Sequence, residues 1–374
     1  MGVGISTLVE LGDSKKRAER MSRRSRRREA LALEAMNDEL LAQISERICC
    51  NGSSSVASLF TKQGKKGTNQ DAMILWEGFC SRRDTVFCGV FDGHGPNGHL
   101  VARRVRDSLS SRLAFEWQEA NTRYCTEDKT TTMISGNSAT GLELSDAKGC
   151  KEPEMFALWQ DSFLKAYKLM DTELRVLPSI DCSCSGTTAV TILKQGEHLI
   201  IGNVGDSRAI LATKTENDAL VAVQLTVDLK PNLPHEAERI KQCKGRVFAM
   251  LDEPDVHRLW LPYNNSPGLA VARAFGDFYM KEFGLIAVPE IAYRRLTDKD
   301  QFIVLATDGI WDVLSNTEVV DIISKAPSRA TAARCLVQSA VRAWRLKRSL
   351  YKADDCAVVC LYLGTQSVRS QKSD

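Results

Sequence analysis

The feature of this sequence that most constrains its fold is a set of apolar runs that meet aspartate, in three cases beside glycine. The runs and their acidic neighbours are 86–91 before Asp92 and Gly93, 199–204 before Gly205 and Asp206, 302–307 before Asp308 and Gly309, and 356–361 after Asp354 and Asp355. Short apolar runs bounded by turn residues are typical of buried strands. Because adjacent strands of a sheet end side by side, we expect these carboxylates to converge at one edge of the core.

Carboxylates gathered in this way favour a metal site. Packed closely, they would repel one another and raise one another's pKa unless a cation neutralised them. Carboxylate and carbonyl oxygens, in a chain with only five histidines, suit hard divalent ions such as Mg²⁺ or Mn²⁺. A single Asp-Gly usually marks a turn, but four acidic strand ends together predict a functional site.

Length and cysteine pattern restrict the class of protein. The 374 residues allow one large domain with appendages, or two domains. No stretch reaches the roughly 18–20 uninterrupted apolar residues of a membrane span, and the polar, basic N-terminus lacks a signal-peptide pattern. No two of the twelve cysteines lie three positions apart, which excludes a C-x-x-C zinc or redox motif. We therefore expect an intracellular globular protein with reduced thiols.

The positive charge of the chain is concentrated at one end. Residues 1–28 carry nine basic and three acidic side chains, or +6, so the remaining 346 residues sum to −3 of the total of +3. A body this close to neutral argues against a nucleic-acid-binding domain, and we expect no nucleic-acid partner.

The chain is predicted to contain an extension, one large domain and a tail. The extension covers 1–58 and includes a helix over 15–48, where apolar residues recur three or four apart. The domain covers 59–364 and carries a polar insertion at 121–153, whose lack of periodicity indicates a surface segment. Residues 365–374 form a polar tail. Within the domain, strands are predicted at 86–91, 187–193, 199–204, 302–306 and 356–363, and helices at 98–116, 154–176, 234–243, 316–325 and 329–346.

A longer series of motifs runs through the domain. They are Lys66-Gly67-Thr68-Asn69-Gln70-Asp71, Val90-Phe91-Asp92-Gly93-His94-Gly95, Ser185-Gly186-Thr187-Thr188-Ala189, Asn203-Val204-Gly205-Asp206-Ser207-Arg208, Leu225-Thr226-Val227-Asp228 with Lys230-Pro231, Ala272-Arg273-Ala274-Phe275-Gly276-Asp277, Ala306-Thr307-Asp308-Gly309-Ile310-Trp311-Asp312 and Asp354-Asp355. In this order they resemble the metal-dependent protein serine/threonine phosphatases of type 2C, most closely the plant-type branch. The resemblance implies an α+β fold, a four-layer α/β/β/α sandwich of two antiparallel sheets flanked by helices.

The resemblance also implies a site with two metal ions, Mg²⁺ or Mn²⁺. Asp92 would bridge both ions and the carbonyl of Gly93 would bind one. Asp308 and Asp354 would complete the shell of the second ion, and Asp71 would act through water. Carried over in the same way, His94 resembles the general acid, and Asp206 and Asp312 would hold a weaker third ion with Asp308. Asp354 is chosen over Asp355 because it fills the family's position when the following strand is aligned.

Two positions depart from the pattern of many family members. Gln70 stands where some have glutamate, which removes one carboxylate but keeps an acceptor oxygen. Lys66 stands where many have an arginine that clamps the substrate phosphate. Because lysine is a point charge rather than a bidentate fork, it would hold the phosphate less rigidly.

Several site residues have an alternative interpretation. His94 could cap the helix that follows it. The segment Gly205-Asp206-Ser207-Arg208 could be a tight turn with a structural ion pair. Residues 246–267 fall where the family carries a flap over the substrate groove, and could equally be an ordinary loop.

The first residues suggest a membrane-targeting signal. The sequence from Met1 and Gly2 to Ser6 fits the M-G-x-x-x-[ST] pattern for N-myristoylation of Gly2. One myristoyl chain binds membranes only marginally, and the nine basic residues at 15–28 could supply the second signal at an anionic leaflet. We favour plasma-membrane association, with the nucleus or cytosol as the alternative if the basic run is a nuclear-import signal or a solvated helix face.

Three functions remain open from the sequence. The first is a monomeric phosphatase that hydrolyses phosphoserine and phosphothreonine in phosphoprotein substrates through water activated by two metal ions, without a covalent intermediate. The second is a catalytically silent regulator that binds phosphoproteins on the same fold. The third is a metal-dependent hydrolase of small phosphate esters. Because every direct metal position is occupied, the first is favoured.

Overall fold

The computed structural model describes residues 47–132, 152–347 and 352–364. Two six-stranded antiparallel sheets dominate them. Sheet 1 has the strand order β1 (Arg47–Ile48), β4 (Ala72–Glu77), β5 (Thr85–Phe91), β8 (Ala189–Gln195), β9 (His198–Val204) and β16 (Glu290–Arg295). Sheet 2 has the order β11 (Leu220–Gln224), β10 (Arg208–Lys214), β17 (Asp300–Ala306), β18 (Cys356–Tyr362), β3 (Ala57–Lys62) and β2 (Gly52–Ser53).

Helices and short strands complete the described fold. The helices are α1 (Gly98–Thr132), α2 (Glu152–Val176), α3 (Pro234–Gln242), α4 (Phe278–Lys281), α5 (Asp308–Trp311), α6 (Asn316–Ser324) and α7 (Ala332–Lys347), with 3₁₀ turns at Phe79–Ser81 and Arg329–Thr331. Two three-stranded sheets are formed by β12 (Arg246–Met250), β13 (Glu253–Trp260) and β14 (Gly268–Leu269), and by β15 (Phe275–Gly276), β7 (Gly186–Thr187) and β6 (Gly93–His94). None of the described helices is long and apolar enough to cross a bilayer.

The central strands read as continuous apolar runs because both of their faces are buried. In β5, Cys88 and Val90 point into the core between the two sheets, whereas Phe87 and Phe91 pack with α1 and α2. In β17, residues 303 and 305 face the inter-sheet core, and residues 302, 304 and 306 face α5, α6 and α7. This alternation, with period two, gives three stacked apolar layers between four layers of backbone. The predicted α/β/β/α sandwich is confirmed.

The start of the domain differs from the prediction. Arg47 and Ile48 were included in a helix over 15–48, but they form β1 and pair with Trp76 and Leu75 of β4. Ile48 packs on the inter-sheet core, and the buried Arg47 guanidinium donates to Asp107 Oδ1 at 2.6 Å. These tertiary contacts override the helical spacing, so the folded domain begins before residue 59. The rest of that helix, the basic run and Gly2 lie outside the described residues.

The predicted insertion at 121–153 is partly helical. Helix α1 does not end at 116 but continues to Thr132, and α2 begins at Glu152. Just past the predicted end, Trp117 stacks on Trp159 of α2, with ring centroids 3.7 Å apart, so the two helices remain in contact there. Residues 133–151 and the tail at 365–374 lie outside the described part of the chain.

Candidate active site

The four predicted metal-site aspartates lie at the same end of the sandwich. Asp71 immediately precedes β4 and Asp92 follows β5, and these strands are antiparallel neighbours in which Ala72 pairs with Phe91. In sheet 2, Asp308 follows β17 and Asp354 precedes β18, and Ala306 pairs with Val358. Because antiparallel neighbours place the end of one strand beside the start of the next, each sheet contributes two carboxylates to one edge.

A cavity of about 370 Å³ opens at this edge. Most of the predicted site residues line it, namely Lys66, Asp92, Gly93, His94, Asp206, Asp308 and Asp354. Asp71 does not line the cavity but lies behind it, where its Oδ2 accepts a hydrogen bond of 2.7 Å from the Thr307 hydroxyl. Asp312 is exposed and outside the lining, although its charge acts on Asp206 and Asp308.

The carboxylates of this site repel one another, and lysines of the chain offset only part of their charge. Burial raises the pKa of Asp71, Asp92 and Asp308 well above its usual range, and the neighbouring carboxylates raise it further. The pKa of Asp206 is also raised, first by burial, although Lys230 opposes the shift with its ammonium 3.6 Å from Asp206 Oδ2. Buried acids that push one another's pKa upward form a site that favours cations.

One cation of the chain already occupies part of this site. Lys66 forms an ion pair with Asp354, and the carboxylates of Asp308 and Asp92 act on the same ammonium. Burial alone would lower the pKa of Lys66, but these acids outweigh it and the net shift is upward. In the described residues no group of three or more His, Cys, Asp or Glu side chains is already arranged as a metal shell. The donor set is nevertheless made of oxygens and attracts positive charge, so it fits hard divalent ions.

The backbone at Gly93 is closely enclosed. A Cβ atom built on Gly93 would overlap the carbonyl oxygens of Gly98 and Gln70. These are backbone atoms that cannot move aside easily, so glycine is required here for steric reasons. The enclosure holds the peptide that follows Asp92 at the cavity wall.

His94 is held by a residue that was not assigned to the predicted site. Its Nε2 lies 2.5 Å from Asp277 Oδ2, across 183 positions of sequence, and the Asp277 side chain is only 4% exposed. Burial would lower the pKa of His94, but the Asp277 carboxylate more than offsets it and the pKa is raised. The ring therefore contacts Asp277 rather than capping a helix. The signal for Asp277 was its place at the end of the motif from Ala272.

Two open alternatives receive a structural answer. Asp355 accepts hydrogen bonds from the backbone N–H groups of Gly64 and Gln70 at 2.7 and 2.8 Å, so it organises the preceding loop. Asp354 instead carries the ion pair with Lys66. Near Asp206, the structural ion pair is formed by Arg208 and Asp228, with N–O distances of 2.9 and 2.6 Å, which leaves Asp206 at the cavity.

Residues 246–267 form more than an ordinary loop. They contain the hairpin of β12 and β13, in which Trp260 is buried and stacks on Phe248. Arg258 and the segment 267–271 after it line the cavity. The hairpin and the segment after it thus form one wall of the site, while Tyr263, which follows β13, is fully exposed.

Comparison with known proteins identifies the family. Residues 58–345 match the family model "Protein phosphatase 2C". "Probable protein phosphatase 2C 33" of Arabidopsis thaliana is 54% identical over 355 residues, covering 89% of this chain and 72% of that protein. "Probable protein phosphatase 2C 66" of Oryza sativa subsp. japonica is 58% identical over 335 residues, covering 88% of this chain but 63% of that protein, so this chain spans less than two thirds of it. A serine-threonine phosphatase 2C from Toxoplasma gondii has the same fold with a TM-score of 0.71 at 25% identity, covering 85% of this chain and 98% of the other. The chain therefore belongs to the protein phosphatase 2C family, the metal-dependent serine/threonine protein phosphatases.

Proposed function

We propose that the cavity at the end of the sandwich hydrolyses phosphoserine and phosphothreonine in proteins, with two divalent cations, Mg²⁺ or Mn²⁺, and without a covalent intermediate. The observation that carries the proposal is the convergence of Asp92, Asp308 and Asp354 on one cavity that also contains the His94–Asp277 pair. Acidic groups to hold cations and an imidazole to protonate the leaving group are the two requirements of this reaction.

The carboxylates would hold the ions. In this assignment Asp92, the Gly93 carbonyl, Asp308 and Asp354 would hold the two ions directly, with Asp92 shared between them, and Asp71 would act through water. Asp206 and Asp312 would hold a weaker third ion with Asp308. When bound, divalent cations lower the pKa of a water molecule and offset the negative charge of the phosphoryl oxygens.

The remaining side chains would bind substrate and move a proton. Lys66 is half exposed at the cavity, where its ammonium can contact the substrate phosphate once cations take over the neutralisation of Asp354. His94, whose pKa the Asp277 carboxylate raises, would donate its proton to the serine or threonine oxygen as the alcohol leaves. Because Asp277 touches the imidazole and not the substrate, its role is positioning.

Hydrolysis of a phosphothreonine peptide and of an aryl phosphate, with Mn²⁺ or Mg²⁺ and after chelation, tests the proposal. The purified chain should turn over both substrates only with metal, and Asp92→Asn should lose nearly all activity. Metal-independent activity, or equal activity in the variant, would contradict it. Binding of the phosphopeptide without turnover would instead support the catalytically silent regulator, and turnover of the aryl phosphate alone would support a hydrolase of small esters.

We further propose that the enzyme is a monomer that associates with anionic membranes. The support is the myristoylation pattern at Gly2 together with the nine basic residues at 15–28. Fractionation of cells that express the parent chain and Gly2→Ala tests this proposal, since the variant should leave the membrane fraction. A variant that stays at the membrane as well as the parent would overturn it. Light scattering of the purified protein tests the monomeric state.

A further inference from the structure

A second cavity adjoins the catalytic one. It has a volume of about 320 Å³ and shares Asp354 with the catalytic cavity. Lys62, Lys65 and Arg345 line it together with Val341 and Trp344. We call this cavity, defined by these five residues, the basic groove.

The cations of the basic groove are not neutralised by the part of the chain that the structure describes. The side chains of Lys62, Lys65 and Arg345 are exposed, and none of them forms an ion pair or hydrogen bond with a described residue. The one carboxylate in the lining, Asp354, is already paired with Lys66. Lys347, in the same helical turn as Arg345, shows the contrast, since it contacts Glu318 and the carbonyl of Val313.

The backbone that carries these cations is well anchored. Lys62 pairs with Cys356 at the end of β3, and the N–H of Lys65 donates to the Ala353 carbonyl at 2.7 Å. Trp344 is buried and its Nε1 donates to the Gly309 carbonyl at 2.7 Å, so the floor of the groove is rigid and apolar. Arg345 also lies near the C-terminus of α7, where the helix dipole favours a cation. That explanation does not extend to Lys62 and Lys65, which lie outside any helix.

We propose that the basic groove binds acidic residues that flank the phosphorylated residue of a substrate protein. The proposal rests on the phosphatase function proposed above, and it assigns a preference among substrates. A chain whose phosphate lies near Lys66 passes the shared Asp354, so its neighbouring residues reach the groove. Carboxylates there meet three cations that no described residue pairs with, and their aliphatic stems meet Val341 and Trp344. Continuity with the catalytic cavity favours a peptide over a lipid surface as the occupant.

The test compares three substrates with the full chain in Mn²⁺. They are a phosphothreonine peptide with glutamates on both sides, the same peptide with glutamines, and an aryl phosphate too small to reach the groove. The parent enzyme should prefer the acidic peptide. Removing all three charges with Lys62→Gln, Lys65→Gln and Arg345→Gln should lower kcat/KM for that peptide by roughly two- to five-fold per charge, mainly through KM, as expected of exposed ion pairs. The aryl phosphate and the neutral peptide should be hydrolysed as before.

Matched variants separate this effect from a loss of catalysis. The double variant Lys62→Gln with Arg345→Gln leaves Lys65 and its neighbour Lys66 intact. The logarithm of its kcat/KM for the acidic peptide should fall by two thirds as much as in the triple variant. Lys168→Gln removes an exposed cation from α2, on the outer side of sheet 1, and should change nothing. Because exposed charges are screened over about 10 Å at 0.1 M salt, the preference should also shrink as salt is added.

Each outcome has a distinct meaning. Equal kcat/KM for the acidic and neutral peptides in the parent enzyme, or an unchanged preference in the triple variant, would overturn the proposal while leaving phosphatase function in place. If neither peptide is hydrolysed with metal, the proposed function itself fails. If the triple variant keeps its peptide preference but loses binding to phosphatidylserine vesicles, the groove contacts membranes and the proposal is wrong.

Discussion

Replacing Asp277 by asparagine should impair protonation of the leaving group without unfolding the domain. Asp277 Oδ2 lies 2.5 Å from His94 Nε2 and is almost fully buried, and its charge raises the pKa of the imidazole. Asparagine has the same shape and tolerates the left-handed backbone of this residue, where φ is 48°. The substitution therefore removes the charge and leaves the local geometry.

The size of the effect follows from the lost charge of the acceptor, because asparagine can still accept a neutral hydrogen bond from His94. A hydrogen bond to a charged group contributes roughly 1.5–3 kcal/mol and a neutral one about 0.5–1.5 kcal/mol, so the loss is roughly 1–1.5 kcal/mol, and about 1.4 kcal/mol corresponds to a factor of ten in rate. The kcat for a phosphothreonine peptide should therefore fall about 5- to 10-fold. An aryl phosphate has a leaving group that departs without protonation, so its kcat should change little.

Steady-state kinetics of both substrates with Mn²⁺ measure this difference. His94→Gln should show the same selective loss, and adding Asp277→Asn to it should cost little more, because the two side chains act as one unit. Asp171→Asn is a matched control, since Asp171 contacts the N–H of Gly276 and Lys281 but not His94. Equal losses on both substrates in Asp277→Asn would refute the positioning role and assign Asp277 to structure alone.

Three further predictions concern the support of the site. Thr307→Val should destabilise the domain by about 1–3 kcal/mol in urea denaturation, because it leaves Asp71 Oδ2 and the N–H of Ala357 without their hydrogen bonds of 2.7 and 3.0 Å. Thr307→Ser keeps the hydroxyl and should retain most of the stability. An unchanged urea midpoint in the valine variant would contradict the reasoning. Gly93→Ala should lower the thermal midpoint and should reduce metal-dependent activity at least about tenfold, because its Cβ would overlap two backbone carbonyls. A variant as active as the parent would show that the backbone can shift to make room for the Cβ. Glu236→Gln should cost about 3 kcal/mol at pH 7, because the buried Glu236 accepts hydrogen bonds of 2.6 Å from both Arg239 and Arg273. Although burial opposes the shift, these arginines lower the pKa of Glu236 in the folded state. The ion pairs therefore stabilise the fold fully above the unfolded pKa of about 4.3, and this stabilisation is lost as pH falls through the lower folded pKa. A difference in unfolding free energy between parent and variant that stays constant down to pH 2 would count against this.

Local sequence patterns predicted the central part of the fold because the strands are buried on both faces. Such strands appear as uninterrupted apolar runs, and the runs before Asp92 and Asp308 correspond to β5 and β17. The same pattern predicted the site, because the aspartates directly follow these apolar runs and a carboxylate at the end of a buried strand needs a cation or a hydrogen-bond partner. The convergence of these ends on one cavity was an expectation that the antiparallel pairing of the strands then supported.

Contacts distant in sequence decided what local patterns could not. The helical spacing before Ile48 gave no warning of β1, whose partner strand begins 24 positions later. The polar composition after residue 121 gave no indication that α1 continues to Thr132, and local patterns did not reveal the stacking of Trp117 on Trp159 beyond the predicted end of that helix. Propensity is a weak influence compared with the burial of a large aromatic side chain.

The amino-acid order alone determined which residue types are available to the site, namely the aspartates at strand ends, the glycine beside Asp92 and the histidine after it. Only the tertiary structure decided their orientation and partners. Adjacent residues such as Asp354 and Asp355 can face opposite ways at a strand end, so one carries the ion pair with Lys66 and the other organises a loop. Likewise, His94 contacts Asp277 only because burial of the apolar layers brings separate segments together. Local sequence patterns cannot predict a contact between residues so far apart in the chain.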